Sequence, residues 1–274
     1  MSMDADSSFA SVPGAVARAL MPLVPPAPSA ELKMRLQGCE AALSALQPCY
    51  RPCDQLWENR DKPPLRKAVH QLRHRLSPYM RMPALNLRML GSLEESEALT
   101  YQQWRRTLSG PLSTPDVQHF IALSTGGDGG LRTRPVVLRS QDGRTLLPMV
   151  EARDAVERLA ELLSRQVDVR PGHGVSAAVQ MLALANNAHA FADGNGRLGR
   201  ALFNFCLHRA GLPEACFIPL KVLTVLSRGG YEVRLREAEL YGRWDGLYAY
   251  HCTAIELYAW LGQQPVMPVQ NEGI

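Results

Sequence analysis

Apolar positions recur at three- and four-residue steps through most of this chain, a spacing that predicts helices. "AELKMRLQGCEAALSAL" (Ala30–Leu46) places Leu32, Leu36, Leu43 and Leu46 on such steps, broken once around Gly38. "KPPLRKAVHQLRHRLSPYM" reads as a second helix, with Pro64 in its first turn and Pro78 at its end. "YQQWRRTL" reads as a third. "STPDVQHFIAL" (Ser113–Leu123) opens on a hydroxyl cap, Ser113 or Thr114, with Pro115 in the first turn. "EARDAVERLAELLSRQV" is amphipathic, with Ala155, Leu159 and Leu162 or Leu163 on one face. "HGVSAAVQMLALANNAH" is apolar on nearly every side, so this helix is expected to be central and buried. "RLGRALFNFCLHRAGL" follows and is ended by Gly211 and Pro213. "KVLTVLS" and "YEVRLREAELYGRWDGLYAYHCTAIELYAWL" add two or three more helices.

One stretch breaks this period. "PVVLR" and "RTLLP" are short β-prone runs joined through Asp142-Gly143, a strong hairpin signal. The expected fold is therefore all-α, with a short β-hairpin before the central helix. Four regions are expected: a Ser/Ala/Pro-rich flexible leader over 1–30, a helical accessory region over 31–94, the main domain over 95–262 and a flexible tail over 263–274.

Composition changes this picture little. Hydrophobic residues make up 46% of the 274 positions, enough for a sizeable core, and the net charge of +4 is too small to mark a nucleic-acid binder. No apolar run is long enough to span a membrane. Asp4 and Asp6 stand where a secretory signal carries lysines, and Arg18 interrupts the one apolar stretch nearby. The six cysteines sit in a core-rich chain that needs no disulfide staples, so a reducing cytoplasm is expected. A leader of this composition also suits a non-cleaved export signal. Cys49, Cys53, His70 and His74 have a spacing loosely like a zinc finger, but no ββα pattern surrounds them, and no zinc is expected there. The basic string "RKAVHQLRHR" is expected to be a solvated helix face or partner surface.

"HAFADGNGRLGR" (His189–Arg200) carries the chemistry. A buried helix ends at His189, and a second is expected to begin near Arg197. Asp193-Gly194-Asn195-Gly196 must turn sharply between them. Glycine admits positive φ and close approach of a ligand. Consecutive amides at a helix N-terminus bind anions. Arg197 and Arg200 lie three apart, on one face of the helix. Two guanidiniums beside an amide nest suit several phosphates. Phosphate would repel Asp193 unless a cation lay between them, which argues for Mg²⁺. His189 is the nearby group that titrates around neutrality, hence the candidate base. The plainer reading is a solvated helix–turn–helix corner.

The stretch resembles the signature of the Fic family, His-x-Phe-x-Asp/Glu-Gly-Asn-Gly-Arg-x-x-Arg. Every specified position is met, by His189, Phe191, Asp193, Gly194, Asn195, Gly196, Arg197 and Arg200. The residue after the histidine, often proline in the family, is Ala190. "GLRTRP" resembles the segment entering the family's target-docking flap, and "YEVRL" the segment after its catalytic helices. The resemblance covers roughly residues 95–260.

The resemblance implies transfer of AMP from ATP to a Ser, Thr or Tyr hydroxyl of a target protein. His189 would take the hydroxyl proton and Asp193 would hold Mg²⁺ on the α- and β-phosphates. Gly194, Asn195 and Gly196 would cradle the phosphates, with Arg197 and Arg200 toward the distal ones and Phe191 packed beneath the loop. Val136, Val137, Leu138, Thr145 and Leu146 would form the flap that docks the target as an added strand. The retained Gly-Asn-Gly-Arg favours AMP transfer over phosphorylation. UMP or phosphocholine transfer, de-AMPylation, or a non-catalytic binding role are the alternatives. Many Fic proteins are restrained by a helix bearing Ser/Thr-x-x-x-Glu-Gly/Asn, whose glutamate pairs with the motif's second arginine. No glutamate here has Ser or Thr four residues earlier: Glu97 has Leu93, and Glu58, the nearest miss, has Asp54. Arg200 is therefore expected to be unpaired. Restraint would come from a small antitoxin-like protein, or the enzyme would be delivered active, as an exported toxin or effector is.

Overall fold

Twelve of the fifteen residues of Gly174–Ala188 are buried, because this helix is packed from several directions. The computed structural model describes residues 20–46, 62–72, 87–139, 146–165, 172–214, 216–227 and 229–263. Among these, the helices in chain order are α1 (Ala30–Ser44), α2 (Pro63–Leu72), α3 (Leu87–Arg105), α4 (Thr114–Thr125) and α5 (Ala152–Ser164), then α6 (Gly174–Ala188), α7 (Asn195–Arg209), α8 (Lys221–Leu226), α9 (Gly230–Tyr241) and α10 (Asp245–Gly262). Strands β1 (Val137–Arg139) and β2 (Leu146–Pro148) pair antiparallel, with Leu138 opposite Leu147. The fold is all-α apart from this ribbon and one isolated bridge. The Asp142-Gly143 turn and Thr145 lie outside the described residues.

α6 and α7 form the centre. They approach closely at Gly199, where an added Cβ would lie 3.0 Å from the Asn186 side chain. α4 begins as its sequence dictates: the Asp116 carboxylate accepts from the Ser113 N–H at 2.8 Å and from its hydroxyl at 2.5 Å, and Pro115 occupies the first turn. α5 buries Ala155, Leu159 and both Leu162 and Leu163.

The helices ahead of residue 95 share this core. Leu32, Leu36, Cys39 and Leu43 of α1 and Leu65, Ala68 and Leu72 of α2 belong to the same buried cluster as α6 and α7. Glu40 of α1 accepts from the Gly172 and Val175 N–H groups at 2.6 and 3.0 Å, satisfying amides at the start of α6. Arg35 grips Glu256 of α10 through Nε at 2.6 Å and Nη2 at 2.7 Å. Met21, within the expected leader, is 1% exposed and donates its N–H to Asn187 Oδ1 at 2.8 Å.

α3 is longer than "YQQWRRTL" predicted: it starts at Leu87. Its Tyr101 and Trp104 are fully buried. The Tyr101 hydroxyl lies 2.6 Å from His208 Nδ1, and His208 Nε2 lies 2.7 Å from the Cys216 carbonyl. Burial, more than any other influence, pushes the His208 pKa down to about 4. Among the described residues, no helix is long and apolar enough to cross a membrane, and no cluster of three or more His, Cys, Asp or Glu could hold a metal. Cys49, Cys53 and His74 lie outside the described residues.

Candidate active site

The site is the loop between α6 and α7, together with the first turn of α7. α6 ends at His189, which adopts φ 51° and ψ 50° and donates its N–H to Ala185 O at 3.1 Å. It is the one non-glycine residue with positive φ among those described. The turn at Gly194 has φ 86°, and a Cβ there would meet Ile121 Cδ1 at 2.8 Å. The positive φ calls for glycine, and a larger residue would also press on the Ile121 side chain.

α7 starts at Asn195, two residues before the expected position. Asn195, Gly196 and Arg197 are thus its first three residues, whose N–H groups have no carbonyl one turn back in the helix. Such unpaired first-turn amides are able to bind an anion. The Asn195 side chain turns the other way. Its Oδ1 accepts from Phe191 N–H at 3.0 Å and its Nδ2 donates to Phe191 O at 2.7 Å. It braces the loop, so only its backbone faces the cradle. Phe191 itself is fully buried.

The charged groups engage one another. Arg197 donates to Asp193 Oδ2 at 2.9 Å and to the Ser124 carbonyl. Asp193 Oδ1 accepts from Gly194 N–H at 2.6 Å, and the Asp193 side chain is 79% exposed. One open carboxylate beside an anion cradle is a ligand set that magnesium takes, with phosphate oxygens and water completing it. The residues fit a metal that arrives with a nucleotide, provided Arg197 gives way.

Arg200 departs from expectation. Its Nε donates to Glu97 Oε1 at 2.7 Å and its Nη2 to Oε2 at 2.8 Å, and the two side chains are only 13% and 8% exposed. Arg200 is therefore paired, through a forked ion pair with α3. The expectation failed because it required Ser or Thr four residues before the glutamate, whereas Glu97 has Leu93 there and meets Arg200 through the packing of α3.

His189, Gly196 and Arg200 line one cavity of about 310 Å³, with Leu182, Tyr231 and Leu235 on its apolar side. Asn186 donates to the Tyr231 hydroxyl at 2.9 Å. Glu232 also lines the cavity. Of the hairpin candidates, Val137 and Leu138 lie in β1, Leu146 in β2 and Val136 just before β1. Beyond Glu97, sequence reasoning missed Arg132. This buried residue reaches both the His189 carbonyl and the root of the hairpin. A lone arginine after Gly-Leu gave no signal of that role.

Residues 112–207 match the Fic/DOC family. The matched span runs from just before α4 through most of α7, and so contains the cradle and His189. Among solved structures, a Fic family protein from Desulfovibrio desulfuricans G20 is similar at 17% identity and a TM-score of 0.60, over 86% of this chain and 75% of that one. The chain thus has the Fic fold. A Fic domain containing signaling protein from Bacteroides thetaiotaomicron VPI-5482 is similar at 17% identity and a TM-score of 0.47, over 84% of this chain and 95% of that one. Fic-1 from C. elegans is similar at 20% identity and a TM-score of 0.46, over 84% of this chain and 70% of that one. No curated protein matches the chain.

Proposed function

We propose that this chain transfers the AMP group of ATP to a Ser, Thr or Tyr hydroxyl of a target protein. The observation that carries the reading is the single cavity shared by His189, Gly196 and Arg200 at the start of α7. The candidate base, the first-turn backbone of α7 and the candidate phosphate-binding cation thus line one space.

The first-turn amides and Arg197 hold the phosphates once Arg197 leaves Asp193. His189 accepts the proton of the attacking hydroxyl as its oxygen bonds to the α-phosphorus. The bond from that phosphorus to the bridging oxygen breaks, and pyrophosphate leaves. Asp193 would hold Mg²⁺, which supplies charge neutralisation on the phosphates. The ribbon of β1 and β2 offers backbone groups to an extended target segment. Glu97 restrains the reaction from within by occupying Arg200, the cation meant for the distal phosphate. An external inhibitor is not needed for that restraint.

The test is incubation of the purified chain, and of its Glu97→Gly form, with a lysate and ATP labelled at either the α- or the γ-phosphate. Label from the α-position alone supports nucleotidyl transfer. Label from the γ-position alone replaces it with phosphoryl transfer. No label from either, in both forms, rejects the reading. Parallel incubation with labelled UTP decides whether adenine is required.

A further inference from the structure

We propose that Arg132 is a positioning residue for His189, fixing the angle of the candidate base and tying it to the hairpin. The proposal rests on the reading of His189 as the base.

The left-handed backbone of His189, at φ 51°, persists in a non-glycine residue only where its surroundings fix it. Arg132 supplies that fixing. Its Nε donates to His189 O at 2.7 Å, and its backbone N–H donates to Ala190 O at 2.9 Å. Two successive carbonyls of the loop are thus held by one residue. The neighbouring pair, Leu131 and Phe191, forms an antiparallel bridge that continues the contact.

The same guanidinium then spans both roots of the ribbon. Nη1 donates to Arg134 O at 3.3 Å, ahead of β1. Nη2 donates to Val150 O at 2.5 Å and lies 3.4 Å from Glu151 O, both beyond β2. Arg132 is only 5% exposed, and these acceptors are all backbone carbonyls. A planar fork with five N–H donors can reach three segments at once, whereas an ammonium on a flexible stem cannot keep that geometry. Any movement of the hairpin root is therefore passed to the carbonyl of His189. A target strand settling on the ribbon and the base that deprotonates its hydroxyl are held by one cation.

The experiment uses the full chain carrying Glu97→Gly as parent, with Arg132→Met and Arg132→Lys added separately. Three quantities are read: kcat and KM for ATP, the thermal midpoint, and the pH titration of the His189 ring by NMR. Arg132→Met is expected to lower kcat about 100-fold per folded molecule, the scale of a misplacement near 1 Å, with KM within about twofold. Arg132→Lys is expected to fall between this variant and the parent. The His189 titration should shift in both. A purely structural role would lower the midpoint and the folded fraction while leaving kcat per folded molecule and the titration at parent values, and that result overturns the proposal. If the parent transfers nothing from any nucleotide, the functional reading has failed, and the His189 titration alone decides the positioning claim. If Arg132→Met does not fold, Arg132→Lys is judged by the same criteria.

Discussion

Glu97 holds Arg200 through two hydrogen bonds of 2.7 and 2.8 Å, although 103 residues separate them. Both side chains are largely buried, so the pair is not loosened by solvent as a surface bridge would be. In the proposed complex a distal phosphate reaches Arg200 only when the pair opens. The apparent affinity for ATP is then reduced by the fraction of molecules that are open. If that fraction is at most about one in ten, removing Glu97 raises affinity about tenfold or more. We predict that Glu97→Gly raises ATP affinity and labelled transfer by at least that factor. Calorimetry and a transfer assay on the purified chain check it. Unchanged values in both would remove Glu97 from control of the site.

Much of this molecule was legible in the sequence. Three- and four-residue apolar steps gave the helices, since a buried helix face needs that period. The two β-prone runs pair as β1 and β2, while the Asp142-Gly143 turn expected between them lies outside the described residues. The twelve residues from His189 to Arg200 form the loop after α6 and the start of α7, so local rules placed His189, Gly194 and the first-turn amides together. The unread parts depend on distance. Glu97 has Leu93 rather than a hydroxyl residue four positions earlier, and only the packing of α3 on α7 shows that it pairs with Arg200. Arg132 and Met21 were invisible for the same reason: carbonyls and amides elsewhere in the fold decide their place. The bracing role of the Asn195 side chain, whose amide closes the loop on Phe191, was not read from the sequence, because the motif pointed only to its backbone N–H.

In the proposed reaction His189 acts in the chemical step and not in holding phosphate. We predict that His189→Ala reduces transfer by at least about 100-fold, within the usual contribution of a general base, and leaves ATP affinity within a few-fold. Transfer near the parental rate would show that another group takes the proton.

Asp193 pairs with Arg197 at 2.9 Å. Replacing Asp193 therefore has two opposed effects: it removes a magnesium ligand and releases an arginine toward the phosphates. We predict that Asp193→Ala abolishes the magnesium dependence of transfer along with most activity, while ATP binding in magnesium-free buffer is kept or strengthened. Weaker magnesium-free binding would mean that the arginine does not turn to the phosphates.

Acid should destabilise the fold through two buried histidines. Burial pushes His208 and His251 down to about 4 from an ordinary value near 6.5. Below pH 6.5 the unfolded chain takes up protons that the folded chain refuses, so stability falls as the pH drops toward 4. Above pH 6.5 neither state is protonated at these sites and they contribute no slope. Each group is worth on the order of 3 kcal/mol across that window. Urea unfolding at pH 7, 5.5 and 4.5 measures it. His208→Gln should flatten part of the decline; a decline of the same size in that variant would place its origin elsewhere.

The two ends of the forked pair should also fail to act independently. Arg200 has one partner in the resting chain and another, a distal phosphate, in the proposed complex. Residues sharing a partner in this way show coupling energies of roughly 0.5–3 kcal/mol in double-mutant cycles. Four proteins close the cycle: the unaltered chain, Glu97→Gly, Arg200→Ala and the double variant. We predict that Glu97→Gly tightens ATP strongly when Arg200 is present and much less when it is alanine, because only then is there a cation to release. Some gain should remain in the alanine background, since Glu97 left alone still repels phosphate. AMP lacks the distal phosphates and should bind all four proteins within about twofold. Calorimetric affinities for both nucleotides supply the eight values. Equal gains in the two backgrounds would show that Glu97 acts by simple repulsion, and that Arg200 does not receive the distal phosphate.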